Sequence, residues 1–363
     1  MSDRHGGERG GASHRRAPEG AGGADPQGRD GPVVVLGAGS FGTALAFQLA
    51  RAGNRVRLWG RDPEALGAMR ADRVNARYLP DAPFPDGLEA EPELGRAIEG
   101  AVAALVVVPS HALRPTLGAL DAAWTLAPAE RALGWATKGL EAGTGLLPHR
   151  VVAETMPGCG ATAVLSGPTF ATEIAAGLPT AITVAASDEA VAETVAARLA
   201  STRFRPYTST DIVGVETGGA VKNAIAIAAG VSDGLGYGAN ARVALITRGL
   251  AEMRRFGEAL GARGETFSGL ACMGDLVLTC TDDQSRNRRF GLALAAGRGA
   301  GEAIRAIGQT VEGATAAGIV RAKAAELGVE MPICSAVHRL LDEGLSPGDA
   351  VAELMARPGR GEG

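Results

Sequence analysis

Val33-Val34-Val35-Leu36-Gly37-Ala38-Gly39-Ser40-Phe41-Gly42 is the stretch that decides the fold. Four consecutive apolar residues predict a short strand buried on both faces, as parallel sheets require. The glycines that follow have the spacing GxGxxG. Beyond them, Thr43 to Ala52 carries apolar residues at helical intervals, Gly53-Asn54 gives a stop signal, and Arg55 to Trp59 predicts a second strand. A lone GxGxxG is weak in a chain with 53 glycines. Strand, turn, helix and strand in succession make it a dinucleotide-binding signature. Gly37 permits the tight turn, Gly39 lets backbone approach a pyrophosphate, and Gly42 lets helix and strand pack closely. Ser40 and Phe41 lie between these glycines at the helix N-terminus, where unpaired N–H groups favour a phosphate.

Working outward, further strand-like runs occur at Ala104 to Val108, Ala132 to Ala136, Ala163 to Leu165 and Ala181 to Ala185, with helical segments between several of them. This alternation predicts an α/β fold, a Rossmann-type doubly wound parallel sheet with helices on both faces. After about Asp211 the strand signals stop, and Gly219 to Ala229, Ala239 to Leu260, Gly274 to Cys280, Ser285 to Ala296, Val311 to Leu327 and Ser335 to Leu340 read as helical or turn-linked. An all-α C-terminal domain is therefore expected over residues 213–356, following a dinucleotide-binding domain over 31–212. Ligands would bind in the cleft between them. Residues 1–30 are rich in Gly, Arg, Asp, Glu and Ala without apolar periodicity, so they predict a disordered tail. Residues 357–363 form a second short tail.

The bulk numbers exclude several classes. Over 363 residues the net charge is −4, which argues against a nucleic-acid binder. Any anionic ligand must instead be held by a local set of donors. Cys159, Cys272, Cys280 and Cys334 are scattered, and the five histidines show no metal-ligand spacing. Neither a disulfide framework nor a metal site is expected. No uninterrupted apolar run reaches the ~18 residues of a membrane span, and no secretory signal is evident, so a cytoplasmic protein is predicted.

Trp59-Gly60-Arg61-Asp62 ends the second strand, where an NAD-only site usually carries an acid. Arg61 suits a 2′-phosphate, which favours NADPH/NADP with NADH/NAD as a second cofactor. The alternative is a solvated loop charge. Lys138 follows the Ala132 to Ala136 strand, at the end where parallel sheets bind ligands. Gly167 and Thr169 follow the next strand and suit a small polar substrate. Lys222 lies among Gly218, Gly219, Ala220 and Val221, small neighbours that would desolvate its amine. Taken alone, such a lysine is more often a surface charge. Asp275 follows Gly274 and reads equally as an N-cap of the helix Leu276 to Cys280. Thr279 lies one turn on, on the same face. Ser285, Arg286 and Asn287 at a helix start offer a hydroxyl, a guanidinium, an amide and exposed N–H groups, which together would cradle a phosphate.

The strings GAGSFGTALA, VVVPSH, WATKGLE, SGPTFA, GGAVKNAIAI, GANARVALITRGLAEM, GDLVLTCT and QSRNRRFG occur in one order. From Pro32 to about Ala356 the chain thereby resembles the bacterial-type NAD(P)-dependent glycerol-3-phosphate dehydrogenase family. The resemblance implies reversible reduction of glycerone phosphate to sn-glycerol 3-phosphate for glycerophospholipid synthesis, a small phosphorylated substrate and a homodimer. It makes Lys222 the proton acceptor in the oxidative direction, with Asn223 beside it as an orienting group. Asp275 would contact substrate and position the lysine, and Ser285, Arg286 and Asn287 would hold the substrate phosphate. Cofactor contacts are implied at Ala171, Arg286, Val311 and Glu312. Thr310 departs from the family's commoner Val. A dehydrogenase of the same plan acting on a hydroxy acid or sugar acid and a non-catalytic nucleotide sensor are the competing readings. The phosphate-binding set disfavours the first, and Lys138, Lys222 and Asp275 together disfavour the second.

Overall fold

The computed structural model describes residues 31–356, so both expected tails lie outside the described residues. The first half contains β1 (Val33–Leu36), β2 (Val56–Trp59), β3 (Val74–Asn75), β4 (Leu79–Pro83), β5 (Leu88–Ala90), β6 (Ala103–Val106), β7 (Ala132–Trp135), β8 (Ala161–Ser166), β9 (Thr180–Ala185) and β10 (Phe204–Ser209). Interleaved helices are α1 (Ser40–Arg51), α2 (Pro63–Asp72), α3 (Leu94–Ile98), α4 (Ser110–Ala123), α5 (Pro148–Thr155), α6 (Ala171–Ala175) and α7 (Glu189–Leu199). Eight strands form one sheet in the order β10-β9-β8-β7-β6-β1-β2-β5, and β3 pairs with β4 as a separate antiparallel hairpin. All sheet pairings are parallel except β8 with β9.

Side-chain alternation divides the apolar residues between the two faces of the sheet. Val33 and Val35 belong to one core cluster with α1 and α7 residues. Val34 and Leu36 belong to another with α4 and α5 residues. Both faces of β1 are therefore covered, which explains its unbroken apolar run. The sheet's outer strands gave weaker signals. β5 and β10 are its edges: in β5 an exposed Glu89 separates the buried Leu88 and Ala90, and in β10 only Phe204 is buried. Pro206 within β10 is tolerated at an edge, where one side of the ladder needs no donor. Neither strand was expected from the sequence, nor was the β3–β4 hairpin.

From Asp211 onward the chain is helical: α8 (Ile212–Gly234), α9 (Gly238–Ala259), α10 (Asp275–Thr281), α11 (Arg286–Ala295), α12 (Ala300–Ile307), α13 (Glu312–Glu326), α14 (Pro332–Asp342) and α15 (Pro347–Ala356). Asp211 caps α8 by accepting from Gly214 N at 2.9 Å, and its second oxygen accepts from Thr266 Oγ1 at 2.6 Å. By length and composition α8 is apolar enough to cross a membrane, but 89% of its most apolar window is buried. It is the axis around which α9, α10, α11, α13 and α14 pack. A Cβ on Gly230 would stand 2.1 Å from the Arg288 carbonyl oxygen, and one on Gly291 would stand 2.2 Å from that of Ile227. These two glycines let α8 and α11 touch backbone to backbone, which sets the position of the polar side chains described next.

Candidate active site

The Gly-rich turn behaves as three different glycines. Gly37 has φ +125°, and a Cβ there would lie 2.1 Å from the Val107 carbonyl oxygen. A Cβ on Gly42 would lie 1.8 Å from the Gly37 carbonyl oxygen. Both are demanded by the protein's own packing. Gly39 is different, because a Cβ there meets nothing within 4 Å. The open space beside Gly39, at the start of α1, fits a dinucleotide whose pyrophosphate needs close backbone approach. Gly37 N donates to the Trp59 carbonyl at 2.8 Å, which holds the end of β2 against the turn. Arg61 follows, exposed and without an ion pair among the described residues, while Asp62 caps α2 by accepting from Ala65 N at 3.0 Å. The acid at this strand end is thus used by the fold, and among the described residues the guanidinium has no ion-pair partner.

Three residues far apart in sequence meet beyond the C-terminal ends of β7 and β8. Lys138 Nζ donates to Asp275 Oδ2 at 2.7 Å, and Lys222 Nζ donates to Asp275 Oδ1. Lys222 also donates to Thr279 Oγ1 at 3.0 Å, and Thr279 donates to the Asp275 carbonyl at 2.5 Å. Lys222, Asp275 and Thr279 are all buried. Two ammonium groups on one carboxylate leave one positive charge uncompensated. Burial pushes the Lys222 amine down to about 8, with the Asp275 charge opposing and the Lys138 charge adding to the fall. Burial alone would raise the Asp275 carboxyl, but the two lysines outweigh it and hold that group below its ordinary range. Lys138 Nζ also lies 5.8 Å from the ring centroid of Phe41, which connects this cluster to the Gly-rich turn.

Asp275 does not act as the helix cap that its position after Gly274 suggested. A wide turn over Leu270–Gly274 runs straight into α10, so Asp275 lies in the first helical turn and its carboxylate is taken by lysines. Burial next to two cations outweighs what a local cap would give.

Asn223 is next to Lys222 on α8 but faces elsewhere. Its Nδ2 donates to Glu312 Oε2 at 3.1 Å, and its Oδ1 accepts from Asn287 Nδ2 at 2.9 Å. Asn287 Oδ1 in turn accepts from Gly313 N at 2.9 Å. This chain of amides joins α8, α11 and the start of α13, where Val311 is the buried residue before the helix. Glu312 is therefore not a free surface acid. Ser285 caps α11 by accepting from Arg288 N at 3.2 Å. Arg288 is held by Asp233 at 2.8 Å and also pairs with Asp283, so it is not available to replace Arg286. Arg286 is half-buried and makes no ion pair among the described residues.

The β8 end is brought to the same region. A Cβ on Gly167 would stand 3.2 Å from Ile182 Cα of β9, and Thr169 Oγ1 donates to the Gly167 carbonyl at 3.1 Å. Ala171 begins α6, whose Thr172 Oγ1 donates to Gln284 Oε1 at 2.6 Å. That bond places the 167–171 segment beside Ser285 and Arg286. Among the described residues no cluster of His, Cys, Asp and Glu suits a metal ion.

Asn75 was missed by sequence reading. Its amide bonds to the Gly-rich turn, but its partners lie more than thirty residues away and leave no local signal.

Two family models cover most of the chain. The NAD-dependent glycerol-3-phosphate dehydrogenase N-terminus matches residues 32–192, and the corresponding C-terminus matches residues 211–352. A glycerol-3-phosphate dehydrogenase (NAD(P)+) of Thioalkalivibrio sulfidiphilus is 59% identical over 329 residues, 90% of this chain and 97% of that one. Its namesake in Alkalilimnicola ehrlichii is 54% identical over 331 residues, covering 90% and 98%. Among solved structures, glycerol-3-phosphate dehydrogenase of Coxiella burnetii superposes with a TM-score of 0.86 at 47% identity, covering 91% of this chain and all of that one. With profiles, relatives and fold in agreement over both halves, the chain belongs to the NAD-dependent glycerol-3-phosphate dehydrogenase family.

Proposed function

We propose that this chain catalyses reversible hydride transfer between NAD(P)H and glycerone phosphate, giving sn-glycerol 3-phosphate for glycerophospholipid synthesis. The observation that carries the reading is the buried Lys138–Asp275–Lys222 cluster, set beside the Gly-rich turn through Phe41. The relatives' shared name supplies the substrate.

Residues 31–212 hold the cofactor in this reading, and residues 213–356 complete the substrate site. Gly37, Gly39, Ser40, Phe41 and Gly42 take the pyrophosphate side of the dinucleotide, and Arg61 takes a 2′-phosphate. Ala171, Val311, Glu312, Lys138 and Arg286 add further cofactor contacts. Bound NAD(P)H supplies the hydride. Lys222 supplies the proton: as an ammonium it has three N–H groups, of which Asp275 and Thr279 take two. The third is left for the substrate's carbonyl oxygen, to which it passes its proton as the alkoxide develops. In the oxidative direction the neutral amine takes that proton back. Lys138 keeps Asp275 ionised and adds positive charge beside the reacting oxygen. Gly167 and Thr169 line the substrate, and Ser285, Arg286 and Asn287 hold its phosphate. Asn223 keeps Asn287 and Glu312 in register.

The reading also includes a homodimer, as the resemblance implies, and a cytoplasmic setting. All four cysteines are free thiols, three of them buried, which suits a reducing compartment. A steady-state assay of NADPH oxidation with glycerone phosphate, with dihydroxyacetone as the control, tests the whole reading. Turnover with glycerone phosphate and little with dihydroxyacetone is expected. Turnover with a hydroxy-acid pair in its place would overturn it.

A further inference from the structure

Asn75 ends the two-residue strand β3 and is fully buried. Its Nδ2 donates to the Ala38 carbonyl at 3.1 Å and to Thr43 Oγ1 at 2.8 Å. Ala38 lies inside the Gly37–Gly42 turn and Thr43 is the residue after it, so both bonds land on the cofactor turn. Only the amino end of the amide can face a carbonyl, which fixes its orientation. The other end, Oδ1, is buried with no hydrogen-bond partner among the described residues. Such unsatisfied atoms are uncommon in folded proteins. Here the amide faces the turn even though its oxygen is left without a donor.

The consequence for the turn follows from the planar trans peptide, in which C=O and the next N–H point in opposite directions. Ala38 C=O is held inward by Asn75, so the Gly39 N–H is turned outward. No described residue accepts from that N–H, and the space beside Gly39 is open. The hairpin that carries Asn75 is anchored separately on the same helix, because Phe84 packs edge-on against Phe47 of α1 with ring centroids 5.6 Å apart. Apolar packing thus places the hairpin, and the amide acts on the turn.

We propose that Asn75 is a positioning residue for the dinucleotide turn: it locks the Ala38–Gly39 peptide so that the Gly39 N–H is presented to the cofactor pyrophosphate. The inference rests on the cofactor reading proposed above. Asn75→Asp replaces the donors with acceptors facing Ala38, and Asn75→Leu removes both. Direct titration should show both variants weakening NADPH, NADH and ADP-ribose alike, by roughly tenfold, the scale of one lost hydrogen bond. Adenosine 2′-phosphate, which has no pyrophosphate, should bind as it does to the unaltered chain. With saturating cofactor, kcat should stay within about twofold, so that the loss appears in KM. Thr43→Val should show the same pattern more weakly, and Thr43→Ser should restore binding. That pair decides the matter if the Asn75 variants fail to fold. Unchanged ADP-ribose binding overturns the inference. So does an equal loss for adenosine 2′-phosphate, which would mark general damage. An unaltered chain that binds no dinucleotide at all removes the cofactor reading and this inference with it. Normal binding by the variants beside a competent unaltered chain removes the inference alone.

Discussion

The two ends of the site are built by opposite means. At the Gly-rich turn the structure works by leaving atoms out: nothing lies within 4 Å of a Cβ on Gly39, and Arg61 stands without an ion pair among the described residues. At the helical end the charges are already paired with one another, with Lys138 and Lys222 sharing Asp275 in a buried cluster. A binding surface can be kept open because the cofactor brings its own charges. A proton-transfer group, the role proposed for Lys222, needs its surroundings fixed in advance, since burial is what brings that amine down to about 8. Substitutions at the first end should therefore change affinity, and those at the second should change rate.

The largest break is expected at Lys222. Lys222→Ala should lower kcat by about 10²–10⁴-fold, as loss of a proton-transfer group does, and leave NADPH affinity nearly intact. A variant with near-normal kcat would end the assignment. The pH dependence sharpens the point. Reduction needs the ammonium, so its rate should fall as pH rises through about 8, while oxidation needs the free amine and should rise over the same range. Profiles with no inflection there in either direction contradict the role.

Two glycines separate fold from binding. Gly42→Ala forces a Cβ to within 1.8 Å of the Gly37 carbonyl oxygen, so melting temperature should drop, by overpacking worth roughly 1–3 kcal/mol or more. Gly39→Ala meets no protein atom and should leave the cofactor-free melting temperature alone, yet weaken NADPH and NADH together. If Gly39→Ala bound both cofactors normally, the open space would not be the pyrophosphate's. Arg286→Ala crosses between the two ends. Ser285 and Asn287 are engaged within the protein, and Arg288 is held by Asp233 and Asp283. The loss in kcat/KM for glycerone phosphate should thus be about 1.5–3 kcal/mol, that of a charge-assisted contact, without rescue by a neighbour. With the cofactor saturating, so that the cofactor contact of Arg286 does not enter, dihydroxyacetone, with no phosphate, should be handled as before. An equal penalty on both substrates would move Arg286 to the cofactor alone.

Legibility followed the same division. The strand, turn and helix around Val33 to Ala52 are local, and periodicity with glycine spacing was enough to read them. The edge strands β5 and β10 were not readable, because exposure on one side breaks their apolar runs. The helices α12 and α15 were also missed; each has a single buried residue, Ala303 and Ala350. At the site, Lys138, Lys222 and Asp275 lie 84 and 53 residues apart along the chain, and no spacing rule connects them. Their meeting depends on the way α8 crosses the sheet ends and α10. The family strings named them, but chemistry read from the sequence alone weighted Lys222 towards a surface charge and left Asp275 evenly balanced between a helix cap and a functional acid. Asn75 shows the limit most plainly. Nothing near it in sequence signals a clamp on a turn formed some thirty residues earlier.

The smallest effect is expected at Arg61, and it asks whether the open end of the site distinguishes between cofactors. At the end of β2 a ribose-binding acid would favour NADH, but Asp62 is committed to capping α2 through Ala65 N. Arg61 beside it is exposed, and the Trp59 carbonyl bonded to Gly37 N holds that strand end against the Gly-rich turn. A guanidinium there can take a 2′-phosphate, which NADPH carries and NADH lacks. Because the contact is exposed, solvent screening limits it, and Arg61→Ala should weaken NADPH by only roughly five- to tenfold. NADH should be almost unaffected, and raising the salt concentration should shrink the difference between the two cofactors in the unaltered enzyme. The comparison is read from the ratio of the two affinities rather than from either one. Equal weakening of both would show that Arg61 supports the turn without reading the phosphate. Discrimination would then have to come from elsewhere on the β2 side of the turn.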